Sequence, residues 1–188
     1  MLILSSNSPR RQELLKGLGM PFKVFVIDGI DESYPADLPA KEVAEYIAVK
    51  KAAPYTDVIK GAENTVLTAD TVVVCGGEIL GKPKDEQDAY RMLRMLSGTT
   101  HQVYTGVCLT TEGKQRSFSV ETDVTFRELS EEEIWHYIHE YKPFDKAGAY
   151  GIQEWIGYIG IKGINGSYYN VMGLPVQRIY DELKAFSE

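Results

Sequence analysis

Apolar positions along the chain change between a period of two and a period near 3.6, and each change marks an element. Residues 2–4 form a short apolar run that predicts a buried strand, and residues 9–18 then read as a helix closed by Gly19. Residues 22–27 predict a second strand. Residues 28–38 hold glycine, proline and four acids and read as a loop. Val43, Tyr46 and Ile47 place a helix over residues 39–53, stopped by Pro54. The β-branched run over residues 65–75 is the best candidate for a central strand. A loop with two glycines and Lys82-Pro83 leads to a helix over residues 86–96, capped by Gly98. Residues 101–110 and 116–126 alternate as two antiparallel strands joined at Glu112-Gly113. Ser130 with Glu133 is a capping box, opening a helix with Ile134, Tyr137 and Ile138 on one face. Residues 145–154 are glycine-rich and irregular, residues 156–161 predict a strand, and Pro175 opens a last helix.

No repeat, low-complexity stretch or long linker interrupts this order. It predicts a mixed α/β fold, a sheet with helices packed on it. A chain of 188 residues suits one domain, or one domain with two lobes around a cleft. With 44% hydrophobic and 25% charged residues, disordered and fibrous classes drop out. No apolar run approaches the roughly 18 residues of a membrane span, and the first residues lack the basic start of a signal peptide. Cys75 and Cys108 are far apart without metal-ligand spacing, which suits a reducing compartment. The expectation is a cytoplasmic protein with no membrane partner. A net charge of −7 argues against non-specific binding of nucleic acid. A polyphosphate ligand would need a few locally placed cations and backbone N–H groups.

Four places carry candidate chemistry. In Ser8-Pro9-Arg10-Arg11, Ser8 suits the N-cap and Pro9 the first helical position, so both arginines fall in the first turn. Cations oppose the helix dipole there, and free N–H groups with serines and arginines make an anion-binding arrangement. A capped helix with two solvated arginines, partly balanced by Glu13, is the alternative on residue types alone. Asp70 interrupts the apolar run of residues 65–75, and a carboxylate there needs a metal or hydrogen-bond donors. A strand-end carboxylate bonded to a turn is the plainer alternative. Asp28, Asp31 and Glu32 form an acidic loop that could supply a second metal-facing acid or lie solvated. Lys51 extends the apolar face of its helix, Lys82 follows Gly81, and Lys146 opens a glycine-rich stretch that permits close approach to a ligand. Each lysine alone reads as a surface residue. His136 and His139 have no third metal ligand nearby and read as exposed, and Tyr168-Tyr169 could stack a base or fill the core.

Together the motifs resemble the Maf family of nucleoside triphosphate pyrophosphatases over essentially the whole chain. The matching stretches are Ser8-Pro9-Arg10-Arg11, Asp31-Glu32, Lys51-Ala52, Ala69-Asp70-Thr71-Val72-Val73, Gly81-Lys82-Pro83, Leu96-Ser97-Gly98, Thr105-Gly106-Val107, Asp145-Lys146-Ala147-Gly148-Ala149-Tyr150-Gly151-Ile152-Gln153 and Gly166-Ser167-Tyr168-Tyr169-Asn170. The resemblance implies a fold like that of inosine-triphosphate pyrophosphatases, with a curved mixed sheet flanked by helices and a cleft between two lobes. It implies release of pyrophosphate from a small-molecule nucleoside triphosphate, with a divalent metal, Mg²⁺ or Mn²⁺, as cofactor. Asp70 matches the catalytic carboxylate and Glu32 a second acid, both able to hold the metal. Arg10, Arg11, Lys51 and Lys82 match phosphate-handling cations beside Ser8. The Lys146-to-Gln153 segment looks like the dTTP/UTP branch rather than the 7-methyl-GTP branch, with Thr71 and Gln153 at specificity positions. Tyr141-Lys142-Pro143-Phe144 and Glu154 depart from the family's usual Gly-Glu and glycine, beside the implied base pocket. A homodimer stays open. The rival readings are a non-catalytic nucleotide-binding regulator of septum formation, a 7-methyl-GTP pyrophosphatase and a terminal phosphatase.

Overall fold

The β-branched run becomes β3 (Thr65–Cys75), an interior strand of a seven-stranded sheet. A computed structural model describes residues 1–61 and 63–187. The strand order is β2 (Phe22–Val24), β1 (Leu2–Leu4), β3, β5 (Thr100–Thr111), β6 (Lys114–Phe126) and β7 (Ile161–Asn165), with β4 (Glu78–Leu80) paired to β3. β1 runs parallel to β2 and β3, while β4 opposes β3 and β7 opposes β6, so the sheet is mixed. The helices are α1 (Pro9–Lys16), α2 (Ala40–Ala52), α3 (Thr56–Ile59), α4 (Glu86–Leu96), α5 (Glu131–Tyr141), α6 (Trp155–Gly160), α7 (Tyr168–Met172) and α8 (Val176–Ser187). This is the mixed α/β class that the sequence predicts. Among the described residues no helix is long and apolar enough to cross a membrane.

The chain divides into two compact units. The first comprises Met1–Asp70, Thr105–Val120 and the residues from Gly173 onward, and the second Thr71–Tyr104 and Glu121–Met172. In the first, β1 pairs with β3 in register Leu2 to Thr65 and Leu4 to Leu67. α2 buries Val43, Ala44, Ile47, Ala48 and Ala52, the 3.6-period face of its sequence. Its backbone comes so close to β5 that a Cβ on Gly106 would stand 2.2 Å from the Glu45 nitrogen. Only glycine lets the helix seat there.

The second unit has an extensive cluster of buried apolar side chains. α4 contributes Ala89, Met92, Leu93 and Leu96, and α5 contributes Ile134, Tyr137 and Ile138. The Ser130–Glu133 capping box is present at the start of α5 as expected. Buried His101 lies 5.6 Å from the Phe126 ring and 5.4 Å from Tyr150, ring to ring, and its Nε2 is 2.6 Å from the Tyr150 hydroxyl.

Two sequence expectations change. Residues 156–160 belong to the helix α6 and only Ile161 is strand, the first residue of β7, because Ile156 and Gly160 are buried four residues apart while Tyr158 is exposed. A short apolar run with glycines cannot be told from a strand by alternation alone. The two glycines after β3 are a tight hairpin turn, Gly76 at φ +57° and Gly77 at φ +82°, which creates β4. α2 ends at Ala52, ahead of Pro54 as predicted, and a 3₁₀ turn (Ala53–Tyr55) then leads into the short α3, which periodicity did not announce.

Two stability predictions follow from these contacts. Gly106→Ala forces α2 off β5 and lowers the unfolding free energy by about 2 kcal/mol in chemical denaturation, the size usual for overpacking. Burial lowers the His101 pKa from 6.5 to about 4, so the folded protein keeps the ring neutral. The unfolded chain takes up a proton first as pH falls, so this contribution is full above pH 6.5 and is lost between there and about 4. Denaturation between pH 7 and 4.5 is expected to show His101→Gln with a flatter pH dependence than the unmodified chain.

Candidate active site

In the first unit, the loop after β1 is fixed before α1 begins. Ser5 Oγ lies 2.5 Å from the buried Tyr55 hydroxyl, and Ser6 Oγ accepts the Ser8 N–H at 3.2 Å. Ser8 is the N-cap of α1 and accepts the Arg11 N–H at 3.4 Å, with Pro9 in the first turn, as the sequence predicts. Arg10 and Arg11 therefore stand in the first turn of α1. Arg11 does not lie solvated: its Nε donates to the Gly173 carbonyl at 2.8 Å and its Nη1 to the Ala69 carbonyl at 3.1 Å. Burial lowers the Arg11 pKa and Arg10 adds to that, while Asp70 and Glu32 raise it. These four side chains thus share one electrostatic neighbourhood.

Asp70 sits on β3 directly after the Ala69 carbonyl. Lys51, on the last turn of α2, places its Nζ 2.9 Å from Asp70 Oδ1 and 3.0 Å from Glu32 Oε1, and 3.5 Å from the Ala69 carbonyl. Thr68 holds this register, its hydroxyl donating to the Ala48 carbonyl of α2 at 2.6 Å. The loop carrying Glu32 is tied by the neighbouring lysine. Lys50 Nζ reaches Asp31 Oδ2 at 2.6 Å and the Ser33 carbonyl at 2.8 Å. Those contacts hold the Asp31 carboxyl far below the usual carboxylate range. Lysine spacing in α2 gave Lys51 away; the Lys50 clasp had no sequence signal beyond its neighbour.

Among the described residues no three His, Cys, Asp or Glu side chains form a ready metal cluster. Asp70 and Glu32 nevertheless converge on one cation, the Lys51 ammonium. Two hard oxygen donors of that kind fit a Mg²⁺- or Mn²⁺-like ion, whose remaining positions are ordinarily filled by water and substrate phosphates.

The remaining sequence candidates lie in the second unit. Thr71 is half-buried on β3 and Lys82 is exposed on the loop after β4. The Gly81 carbonyl accepts the Gly148 N–H at 3.1 Å, which brings the Lys82 loop beside the 146–154 segment. Gly148 has φ +70°, and a Cβ there would meet Val73 at 3.0 Å. Lys146 is largely buried, with Nζ 2.9 Å from Asp145 and 3.0 Å from Glu154. Gln153 Oε1 is buried with no hydrogen-bond partner among the described residues. His136 and His139 are exposed, as expected.

Fold and site together define a mixed-sheet α/β protein with paired carboxylates, lysine and arginines grouped at a helix N-terminus, a chemistry suited to polyphosphate. The family model described as Maf-like protein matches residues 1–186, and the chain belongs to that family. A dTTP/UTP pyrophosphatase of Phocaeicola vulgatus is 61% identical over 183 residues, covering 97% of this chain and 94% of that protein. Proteins of the same name from Bacteroides thetaiotaomicron and Flavobacterium psychrophilum are 56% and 48% identical, covering 97% and 95% of this chain and 94% and 91% of their own.

Arg11 is predicted to be structural as well as electrostatic. Arg11→Met removes two charged hydrogen bonds to carbonyls and is expected to lower the unfolding free energy by about 2 kcal/mol. Thermal and urea denaturation check this.

Proposed function

We propose that this chain is a cytoplasmic nucleoside triphosphate pyrophosphatase that converts dTTP and UTP to the monophosphate and pyrophosphate. The observation that carries the reading is the Asp70–Lys51–Glu32 cluster beside Arg11 at the start of α1. The names of the relatives supply the substrates, and Gln153 gives a reason for them. Uracil and thymine offer an N–H between two carbonyls, and a buried amide oxygen lacking a partner is an acceptor for that N–H.

Water attacks the α-phosphorus, the bond to the oxygen bridging toward the β-phosphate breaks, and pyrophosphate departs with the bonding electron pair. Asp70 orients the water and takes its proton, with Glu32 assisting. Such transfers depend mostly on positioning and charge neutralisation. Arg10, Arg11 and Lys51 supply positive charge around the phosphates, with Ser8 and the α1 N–H groups as further donors. In the second unit, Lys82 is a further phosphate cation, and Thr71, Lys146 and Gln153 belong to base recognition. A divalent ion held by Asp70 and Glu32 would offset phosphate charge and lower the pKa of the attacking water.

Pyrophosphate release from a nucleotide panel tests this. Asp70→Asn keeps the shape and loses the charge, so turnover is expected to fall at least about 100-fold with the melting temperature near that of the unmodified chain. Excess chelator is expected to abolish release. Release of orthophosphate instead, or a preference for 7-methyl-GTP, would overturn the reading.

A further inference from the structure

Past Phe25 the acidic loop has no backbone ladder to hold it, since residues 26–35 form no helix, strand or turn. Its first part is anchored through Tyr55, buried on the 3₁₀ turn after α2. The Tyr55 hydroxyl accepts the Ile27 N–H at 2.9 Å and donates to the Phe25 carbonyl at 3.1 Å. Ile27 and Ile30 pack against the apolar cluster that contains the Tyr55 ring. That anchorage stops one residue before Asp31.

Lys50 takes over from there. An ammonium has three donors, and Lys50 places its own on Asp31 Oδ2 at 2.6 Å, the Ser33 carbonyl at 2.8 Å and Ser33 Oγ at 3.1 Å. The Asp31 carboxylate in turn accepts the Ser33 N–H at 2.9 Å and the Ser33 hydroxyl at 2.6 Å. Glu32 lies between these two clamped residues and meets the other lysine, its Oε1 3.0 Å from Lys51. Its side chain is 57% exposed, so packing does not hold it. Consecutive residues of a helix project about 100° apart. α2 thus sends Lys51 to Asp70 and Lys50 to the loop.

We propose that Lys50 is a positioning residue that sets Glu32 against Lys51 and Asp70, with Asp31 and Ser33 as its anchor points. Its three donors serve the loop and not the substrate. A Glu32 carboxylate that swings into solvent no longer adds its charge and oxygen donors beside Asp70, and small displacements of a positioned group cost rate steeply. The inference rests on the reading of Glu32 as the second acid of the site.

The test uses the full chain with Lys50→Met, Lys50→Arg, Asp31→Asn and Glu32→Gln, and with Lys50→Met in the Glu32→Gln background. The readouts are kcat for UTP and, without nucleotide, Mn²⁺ affinity by titration calorimetry. Lys50→Met and Asp31→Asn are each expected to lower kcat about 10-fold. An exposed ion pair contributes little to folding, so the melting temperature is expected to move by less than about 3 °C. Both variants are expected to weaken Mn²⁺ binding about 10-fold. Charge alone acts otherwise: losing the Lys50 cation would tighten Mn²⁺ binding, and losing the Asp31 anion would weaken it. Lys50→Arg keeps charge and donors and is expected to recover most of both quantities. In the Glu32→Gln background, Lys50→Met is expected to change kcat less than about 2-fold, because the clasp acts through Glu32. Mn²⁺ binding that is tighter or unchanged in Lys50→Met overturns this inference alone. So does normal turnover in Lys50→Met while Glu32→Gln loses it. A further full loss in the Glu32→Gln background gives Lys50 a direct role and also overturns the inference. Normal turnover and Mn²⁺ affinity in Glu32→Gln overturn the reading of Glu32 itself. Should Lys50→Met fail to fold, Asp31→Asn combined with Ser33→Ala must lower kcat or the proposal falls.

Discussion

The Lys51 ammonium, 2.9 Å from Asp70 and 3.0 Å from Glu32, is the contact around which the first unit is arranged. A carboxylate in an apolar strand is costly to bury without a partner charge. Here the partner comes from another element, so α2 must lie at one distance and one rotation relative to β3. The Thr68 hydroxyl fixes the rotation through the Ala48 carbonyl. Gly106 fixes the distance, because any side chain there would meet the helix backbone. Arg11 closes the arrangement from α1 by binding the Ala69 carbonyl, one residue before Asp70. Thr68, Gly106 and Arg11 thus determine where the Asp70 carboxylate stands.

Elements with a long, clear period were legible in the sequence. β3 and α4 have their predicted bounds, and the Ser8 and Ser130 caps sit where the residue types place them. Errors fell where a short segment is shaped by its neighbours. Residues 156–161 read as a strand on apolar content, but the Gly157 N–H continues the turn after Glu154 and leads into α6. β4 is three residues long and exists only because a two-glycine turn folds it back on β3. The Tyr168-Tyr169 pair lies on α7, a short helix with no periodic signal, and both rings are exposed.

The candidate site was legible as a set of residues and not as a set of contacts. Asp70, Lys51, Glu32 and the arginines could be named because each breaks a local rule: an acid in a β-branched run, a lysine on an apolar face, cations at a helix N-terminus. Their partners are long-range or backbone groups that no spacing announces, such as the Gly173 carbonyl 162 residues from Arg11. Tyr137 is a further case. It reads as one more core position of α5, yet its hydroxyl holds the Gly151 turn.

Charge matching explains how a chain of net charge −7 keeps these cations in place. Lys50 is held by Asp31, Lys51 by Asp70 and Glu32, and Lys146 by Asp145 and Glu154. Each of these cations is matched within the folded chain, so none stands as an uncompensated charge that destabilises the fold. The consequence differs between sites. Lys51 bridges two carboxylates whose oxygen donors fit a divalent ion. Lys146 pairs with Glu154, whose N–H closes the turn on the Gly151 carbonyl. The same pairing, a lysine between two carboxylates, therefore ties α2 to β3 and the Glu32 loop in the first unit and closes the 146–154 turn in the second.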